Sequence, residues 1–440
     1  MNKQKANRHV VVISVDALLY EDMEALSKLS FFKRTWENAA RVNRVRSIYP
    51  TVTYPCHATM MTGVYPQKHG IFNNELPALG QQSGLWQHMR EGIKVRTLFD
   101  YAKAQGLTTA SVFWPVTGND PAIDYLINEY WPQTPHETTY DCFVHSGSSP
   151  AVMQEIIQPN LSLLENKNRM HPWADAFLMR CASDILRMFK PNLLMVHPAN
   201  IDAYRHETGL FSEKVTQGYC EINLWLEQLY KAAEDAGIAE EADFFVVSDH
   251  GQLNVQRNIA LNVLLAEHGF IDVAPDGSVQ DYRAFIKSCG MSALVYLKDS
   301  KDLSVYNQVY ALLTKVCAEE VFGISRVFTA EEASAEEKLA GDFSFVLETD
   351  GYTAFSNSWS RPLLSPLNNQ DYRYGRATHG YLPAKGPQPT FYAFGPHIQK
   401  GVVLNEANLV DEAPTFAAAL GLEMEETDGR CLSEILCLDA

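Results

Sequence analysis

No stretch of this chain reaches the ~18 consecutive apolar residues of a membrane-spanning helix, so the sequence offers no such span. No Cys-x-x-Cys pair occurs. The eight cysteines, at 56, 142, 181, 220, 289, 317, 431 and 437, are scattered. A chain of 440 residues needs no disulfide staples, so reduced thiols are expected. Internal repeats and low-complexity tracts are missing, which excludes repeat arrays and linker-like chains. Positive charge is scarce: 36 Lys and Arg stand against 53 Asp and Glu, a net −17. Such a chain is a poor binder of long nucleic acid through spread positive charge. A phosphorylated substrate would need a local cationic centre, and bound metal ions supply one.

The N-terminus has basic residues before an apolar run, 10–15, but the run is only six residues long and Asp16 cuts it. No small-residue cleavage site follows. We expect a cytoplasmic protein that begins with a buried strand. Hydrophobic residues make up 46% of the chain and charged residues 20%, enough apolar mass for a full core.

The segments 10–15, 191–197 and 244–249 are short, apolar and end in polar residues, the pattern of strands buried on both faces. Helical periodicity lies between them, as in 95–105 and 213–236. This alternation predicts an α/β fold: a mostly parallel central sheet with helices on both faces. Residues 266–362 change character. Strand-like 292–298, 324–329 and 343–349 alternate with helix-like 303–320 and a charged helix at 330–340. We read them as an inserted α+β cap, leaving 1–265 and 363–440 as the catalytic α/β core. The stretch 360–370 has the composition of a loop, 389–395 returns to the main sheet, and 411–421 is a closing helix.

In parallel sheets, sites form beyond the C-terminal ends of strands. Asp16, Asp202 and Asp249 all lie at or just past such ends. Three His/Asp groups stand out: Asp249-His250, Asp202-x-x-x-His206 and a lone His379. Two ligands four residues apart share one helix face. Together with Asp16 these six residues suit a borderline divalent ion such as zinc. Taken singly, each has a plainer reading. An Asp at a strand end is more often a cap or turn former, and a lone His is more often a satisfied polar residue. His9, His88, His136, His145, His171, His268 and His397 receive that plain reading, and His69 a structural one. The stretch 50–70 adds Thr51, Thr53, Thr59 and Thr62. A hydroxyl at a helix N-terminus gains from the positive dipole end and free N–H groups, or serves only as an N-cap.

These motifs resemble the alkaline phosphatase superfamily, and within it the nucleotide pyrophosphatase/phosphodiesterase branch. Its pattern is a strand ending in Asp, then P-T-x-T-[FY]-P-N-H, then T-G-x-Y-P-x-x-H-G. This sequence has Asp16, Pro50-Thr51-Val52-Thr53-Tyr54-Pro55-Cys56-His57 and Thr62-Gly63-Val64-Tyr65-Pro66-Gln67-Lys68-His69-Gly70. Phe113-Trp114-Pro115 is similar to the branch's F-W-P-G. Asp202…His206, Ser248-Asp249-His250-Gly251 and Thr378-His379-Gly380-Tyr381 follow in order. The resemblance implies two divalent metal ions, zinc first, with manganese or iron as alternatives. Asp16, Thr53, Asp249 and His250 would hold one; Asp202, His206 and His379 the other. Thr53 would be the nucleophile, forming a phosphothreonine that water then hydrolyses. The implied activity is hydrolysis of small phosphate diesters or pyrophosphates of nucleotide type.

The departures from the pattern bear on the substrate. Cys56 stands where the family has Asn, a residue expected to bind a nonbridging phosphate oxygen, and a thiol is a weak donor. Arg205 replaces Gly in D-x-x-G-H, and it either meets substrate or is solvated. Ala17-Leu18-Leu19 stands where many relatives have Gly-Phe-Arg. Thr53 and His57 occupy the positions at which sulfatases carry a modifiable Cys or Ser and an Arg, so sulfatase chemistry is excluded. Tyr54, Cys56, Trp114 and Arg205 are the candidate substrate contacts, with Phe113 and Tyr204 as further stacking surfaces. A phosphomonoesterase and a phosphonoacetate-like phosphonate hydrolase are the alternatives. A monoester calls for an added cation, with Arg205, Arg373 and Arg376 as candidates. A non-catalytic metal- and phosphate-binding protein is the reading from another class. The partner expected is a small phosphorylated molecule, with no membrane. Oligomeric state is not legible.

Overall fold

The computed structural model describes residues 8–134, 136–164, 167–368 and 375–437. Its frame is an eight-stranded sheet. In chain order the elements that matter here are β1 (His9–Ser14), β2 (Ala40–Arg46), α1 (Thr53–Thr62), α2 (Leu98–Ala104), β3 (Thr109–Val112), β4 (Tyr125–Ile127), α3 (Trp173–Phe189) and β5 (Leu193–Val196). Then come α4 (Asn200–Thr208), α5 (Glu213–Ala236), β6 (Ala242–Val247), β7 (Ala284–Ser288), β8 (Ser292–Leu297), α6 (Leu303–Ala318), β9 (Ile324–Thr329), α7 (Ala330–Glu337) and β10 (Phe345–Thr349). The chain closes with β11 (Ala377–Thr378), β12 (Phe391–Phe394), β13 (Val403–Asn408) and α8 (Glu412–Ala419).

The sheet runs β13-β2-β12-β6-β1-β5-β3-β4. Every pairing is parallel except the two made by β12, which lies antiparallel between β2 and β6. The central strands are buried along their whole length because both sheet faces are covered. Successive side chains alternate between two cores, as the two-residue period of a strand requires. Val11, Ile13, Leu194, Val196, Phe244 and Val246 meet Phe177 and Leu186 of α3 and Trp225 and Leu229 of α5. Val10, Val12, Leu193, Met195, Phe245 and Val247 meet Met60 of α1, Phe99 of α2 and Phe416 of α8.

The segment read as a cap builds its own antiparallel sheet, in the order β7-β8-β10-β9. Helix α6 covers one face with Val305, Val309, Leu313 and Val316, spaced at helical intervals. Helix α7 starts with a capping box in which Thr329 and Glu332 satisfy each other's backbone N–H. The apolar cluster of this sheet also takes in Ile259, Leu261 and Leu265 from before residue 266 and reaches Leu79. The helix at 213–236 and the strand at 324–329 have the bounds read from sequence. Part of the 360–370 loop, from residue 369, lies outside the described residues.

Candidate active site

Five segments converge beyond the C-terminal edge of the sheet. Asp16 follows β1 and Asp249-His250 follows β6, its pairing neighbour. Asp202 and His206 sit one helical turn apart on α4, so their side chains share a face. His379 follows β11, and Thr53 opens α1. The residue before it, Val52, is extended and makes no side-chain cap, so the hydroxyl of Thr53 is presented at a helix start.

The geometry is tight. Thr53 Oγ1 lies 3.2 Å from His250 Nε2, and that nitrogen lies 3.2 Å from Asp249 Oδ2 and 3.6 Å from Asp16 Oδ1. His206 Nε2 is 3.3 Å from Asp202 Oδ2, and His379 Nε2 is 3.9 Å from Asp202 Oδ1. The His250 and His379 rings stack at 4.0 Å. Two sets of donor atoms cluster within 4.8 Å: Asp202, His206 and His379, and Asp16, Asp202 and His250.

These residues fit divalent cations on two observations. Buried Asp16 Oδ1 and Asp249 Oδ2 have no hydrogen-bond partner among the described residues, a costly arrangement unless a cation faces them. Each histidine of the cluster also turns its other ring nitrogen to a backbone carbonyl. Nδ1 of His206 lies 2.7 Å from Ala377 O, that of His250 3.2 Å from Gly251 O, and that of His379 2.9 Å from Thr51 O. Donation from Nδ1 fixes the tautomer and leaves Nε2 as a lone-pair ligand.

The electrostatics agree. Burial pushes Asp16 well above the carboxylate range, and the nearby Asp202 and Asp249 push it further. Burial raises Asp249 to about 7 and lowers His250 to about 4. At Asp202 burial works upward, but His206, then His379 and His250, bring the group net below its ordinary value. Three carboxyl groups crowded out of water make a site that favours positive charge.

The Asp16 carboxylate is held from outside the cluster by His197, whose Nε2 is 3.2 Å from Asp16 Oδ2. His57 supports the opposite side. Its Nδ1 is 2.8 Å from the Thr53 carbonyl and 3.6 Å from Asp249 Oδ2, and its ring meets that of His197 at 4.1 Å. The other threonines of the motif are spent on structure. Thr51 Oγ1 donates to Tyr381 O and accepts from Gly380 N, Thr59 bonds His69 Nε2, and Thr62 donates to Ala58 O. Thr53 is the one that lines the cavity.

That cavity has a volume of about 440 Å³, the size of a small-molecule site. The substrate contacts expected from sequence lie elsewhere. Cys56 is fully buried 3.4 Å from Ser47 Oγ, and burial pushes its thiol well up, away from the thiolate. Trp114 is interior, with Nε1 donating to His57 O and its ring edge-on to His57. Tyr54 is buried beside His88, at 3.2 Å. Tyr204 is a core residue that donates to Glu221. Arg205 is neither solvated nor facing the cavity. It is fully buried, with Nη2 2.7 Å from both oxygens of Asp22 and Nη1 donating to Ala17 O. Arg376 is exposed, its backbone N–H held by His206 O, and Arg373 lies outside the described residues.

Lining residues missed in the sequence include Asn74, Trp86, Glu129, Tyr130, Trp131 and Arg169, and also His171, which had received the plain reading; Phe113, expected as a stacking surface, does line the cavity. Among them Asn74 presents a side-chain amide to the cavity. Its Oδ1 accepts the Tyr54 backbone N–H at 2.8 Å, which orients the amide and leaves its NH2 group as donor. It takes up one N–H at the start of α1 and offers a side-chain donor in exchange. A lone Asn twenty-one residues past Thr53 carries no local signal of this.

Residues 10–382 match the family described as Type I phosphodiesterase / nucleotide pyrophosphatase. An ectonucleotide pyrophosphatase/phosphodiesterase of Caenorhabditis elegans is 25% identical over 391 residues, 86% of this chain and 43% of that protein. Ectonucleotide pyrophosphatase/phosphodiesterase 1 of Saccharomyces cerevisiae is 23% identical over 387 residues, 81% of this chain and 48% of that protein. The chain thus spans less than half the length of these relatives. Murine ectonucleotide pyrophosphatase/phosphodiesterase 5 shares the fold at a TM-score of 0.67 and 18% identity, covering 98% of this chain and all of the other. An inactive form of that mouse protein, solved in complex with AMP, superimposes at a TM-score of 0.65 with 19% identity. The chain belongs to the type I phosphodiesterase/nucleotide pyrophosphatase family, within the alkaline phosphatase superfamily.

Proposed function

We propose that this chain is a two-metal-dependent hydrolase of small phosphate diesters or pyrophosphates of nucleotide type, working through a phosphothreonine at Thr53. The observation that carries the reading is the Thr53 hydroxyl, at a helix start and 3.2 Å from His250 Nε2, facing a cavity lined by the Asp and His cluster. Asp16, Thr53, Asp249 and His250 would hold one divalent ion and Asp202, His206 and His379 the other, zinc being the best match to mixed imidazole and carboxylate ligands. When bound, the ions supply Lewis acidity and lower the proton affinity of hydroxyl and water.

The chain's own residues do the rest. Thr53 Oγ1 attacks phosphorus and releases the leaving group. Asn74 donates from Nδ2 to a nonbridging oxygen, the role that sequence had assigned to the position of Cys56. His197 holds the Asp16 carboxylate and the Ala17 N–H holds that of Asp249, while His57 bonds the Thr53 carbonyl, so that little reorganises during the reaction. Water then cleaves the phosphothreonine. The AMP complex of the mouse structure supports a nucleotide-like substrate. A cytoplasmic location stays part of the proposal on sequence grounds alone, although the relatives' names carry the prefix ecto; fractionation of the native cell decides it.

With bis(p-nitrophenyl) phosphate, Thr53→Ala is expected to lower kcat by at least about 10³-fold. Treatment with EDTA should abolish turnover, and added zinc should restore it. Activity retained in Thr53→Ala would sink the nucleophile assignment. Rates on a monoester and on phosphonoacetate run in parallel would reveal either alternative.

A further inference from the structure

The segment 73–87 folds back on itself between the active cavity and the cap. Its two arms meet where Glu75 faces Trp86 in an antiparallel bridge. Leu76 N donates to Leu85 O and Gln87 N to Asn74 O, both at 2.8 Å. Asn74 and Trp86, at the base of this hairpin, line the active cavity. The same two residues also line a gap of about 60 Å³ on the cap side, which Ser288, Cys289 and Asn357 share with His206 and His379 of the metal cluster. The hairpin base is therefore a partition with space on both sides. It keeps its place only if something holds it from behind.

The cap does the holding. Lys287, on β7, is only 2% exposed, a rare state for a lysine. Its Nζ donates to the carbonyl oxygens of Gln81 at 3.2 Å and Gln82 at 3.4 Å, near the hairpin tip, and lies 3.9 Å from Glu75 Oε2 on one arm. Asn357 doubles the tie: its Nδ2 donates to Gln82 O and its Oδ1 accepts from Ser288 N, both at 2.7 Å. Leu79, at the tip, packs against the apolar clusters of the cap. At the base, Asn73 Nδ2 donates to Ser288 O at 3.0 Å, and Asn73 Oδ1 accepts from Asn74 N at 2.8 Å. Neighbouring residues of one cap strand thus hold the hairpin at both ends, and the tie at the base runs directly into Asn74. A buried ammonium is costly to desolvate, and a methionine would fill similar space. What the lysine adds over an apolar side chain is its bonds to the hairpin.

We propose that Lys287 is a positioning residue for the reaction: from the cap it holds the 73–87 hairpin so that the Asn74 amide faces the reacting phosphate. This rests on the hydrolase reading above and gives the cap a part in it. The bonds from Lys287 go to backbone carbonyls, so they set where the hairpin sits. Asn73 and the Tyr54 N–H then set how the Asn74 side chain is turned.

The test is a double-mutant cycle on the zinc-loaded full chain with bis(p-nitrophenyl) phosphate. Asn74→Ala should lower kcat about 10²-fold, the usual loss for one donor to a developing oxyanion. Lys287→Met should lower kcat about 10-fold with KM within about 2-fold. In the Asn74→Ala background the same change should cost less than about 2-fold, because the residue it acts through is gone. Equal losses in both backgrounds, or no loss in either, would overturn the proposal. Zinc affinity should stay within about 2-fold, since none of the proposed ligands lies on the hairpin; a drop of about 10-fold would make Lys287 a general support of the fold and overturn its specific role. If Lys287→Met does not fold, Asn357→Ala, which releases the same Gln82 carbonyl, takes its place, with a kcat loss of about 3- to 10-fold that again vanishes beside Asn74→Ala. Hydrogen exchange reads the contact without turnover. The Tyr54 amide, held by Asn74 Oδ1, should exchange about 10-fold faster in Lys287→Met, and unchanged exchange would overturn the link. If wild type turns over no substrate, the hydrolase reading fails while exchange still judges Lys287.

Discussion

Two departures from the family pattern turn out to touch each other. Arg205 stands where relatives carry glycine, and Ala17 stands where many of them also carry glycine. Ala17 has φ of 55°, a left-handed conformation that an alanine adopts only when its surroundings enforce it. Arg205 supplies part of that enforcement by donating to the Ala17 carbonyl, while the Ala17 N–H donates to Asp249 Oδ1 at 3.1 Å. Its charge is answered by Asp22, and Tyr219 donates to the same carboxylate with Oδ1 as acceptor. The arginine is therefore structural, two contacts away from a candidate ligand. His197 is the residue whose role is most open to measurement. With one Asp16 oxygen held by His197 and the other unpartnered, His197→Gln should weaken zinc binding by about 10- to 100-fold. A competition titration with a fluorescent chelator measures it; unchanged affinity would remove His197 from the support of the site.

At the scale of elements, the strand ends ranked Asp16 and Asp249 as interesting before any contact was known, because a parallel sheet delivers its strand ends to one edge. The i, i+4 spacing placed Asp202 and His206 on one face for an equally local reason. The pairing of β12 antiparallel between β2 and β6 had no local signature, since the segment's apolar run reads the same in either direction. The aromatic wall with Arg169 was equally invisible. It gathers residues 86, 129, 131 and 169 from segments whose meeting is decided by tertiary packing. Tyr54 and Trp114 were misjudged as contacts because adjacency to a motif in sequence says little about which way a side chain points. The loop that carries His379 offers an element-scale test. Gly380 has φ of 97°, and a Cβ there would lie 1.7 Å from Cys289 O. Gly380→Ala should cost about 2 kcal/mol or more and, by shifting His379, weaken metal binding as well. Thermal melts with and without zinc separate the two effects, and an unaltered Tm would contradict the close approach.

At the scale of the whole molecule, acid should be the weak side. Burial lowers His69 to about 3 and His88 to about 4, and both lie outside the ligand set. Between those values and the ordinary histidine range near 6.5, the unfolded chain binds protons that the folded chain refuses. Stability from these groups is thus fully present above about pH 6.5 and declines as pH falls toward 3–4. Denaturant midpoints measured from pH 8 down to pH 4 should fall, and His69→Gln should flatten the decline. A flat profile in the wild type would show that these histidines take up protons without cost.

The Nδ1 of His379 is held by the Thr51 carbonyl across 328 positions of sequence. The same strap brings the last ligand to within two residues of the proposed nucleophile. The centre is therefore a clasp between the front of the chain and a segment made long after it. During synthesis Asp16 and Thr53 must wait for residue 379 to emerge before the Asp and His cluster is complete. A site so arranged gains its full set of side chains only once the segment bearing His379 has been made and folded, so that shorter fragments carry Thr53 without His379.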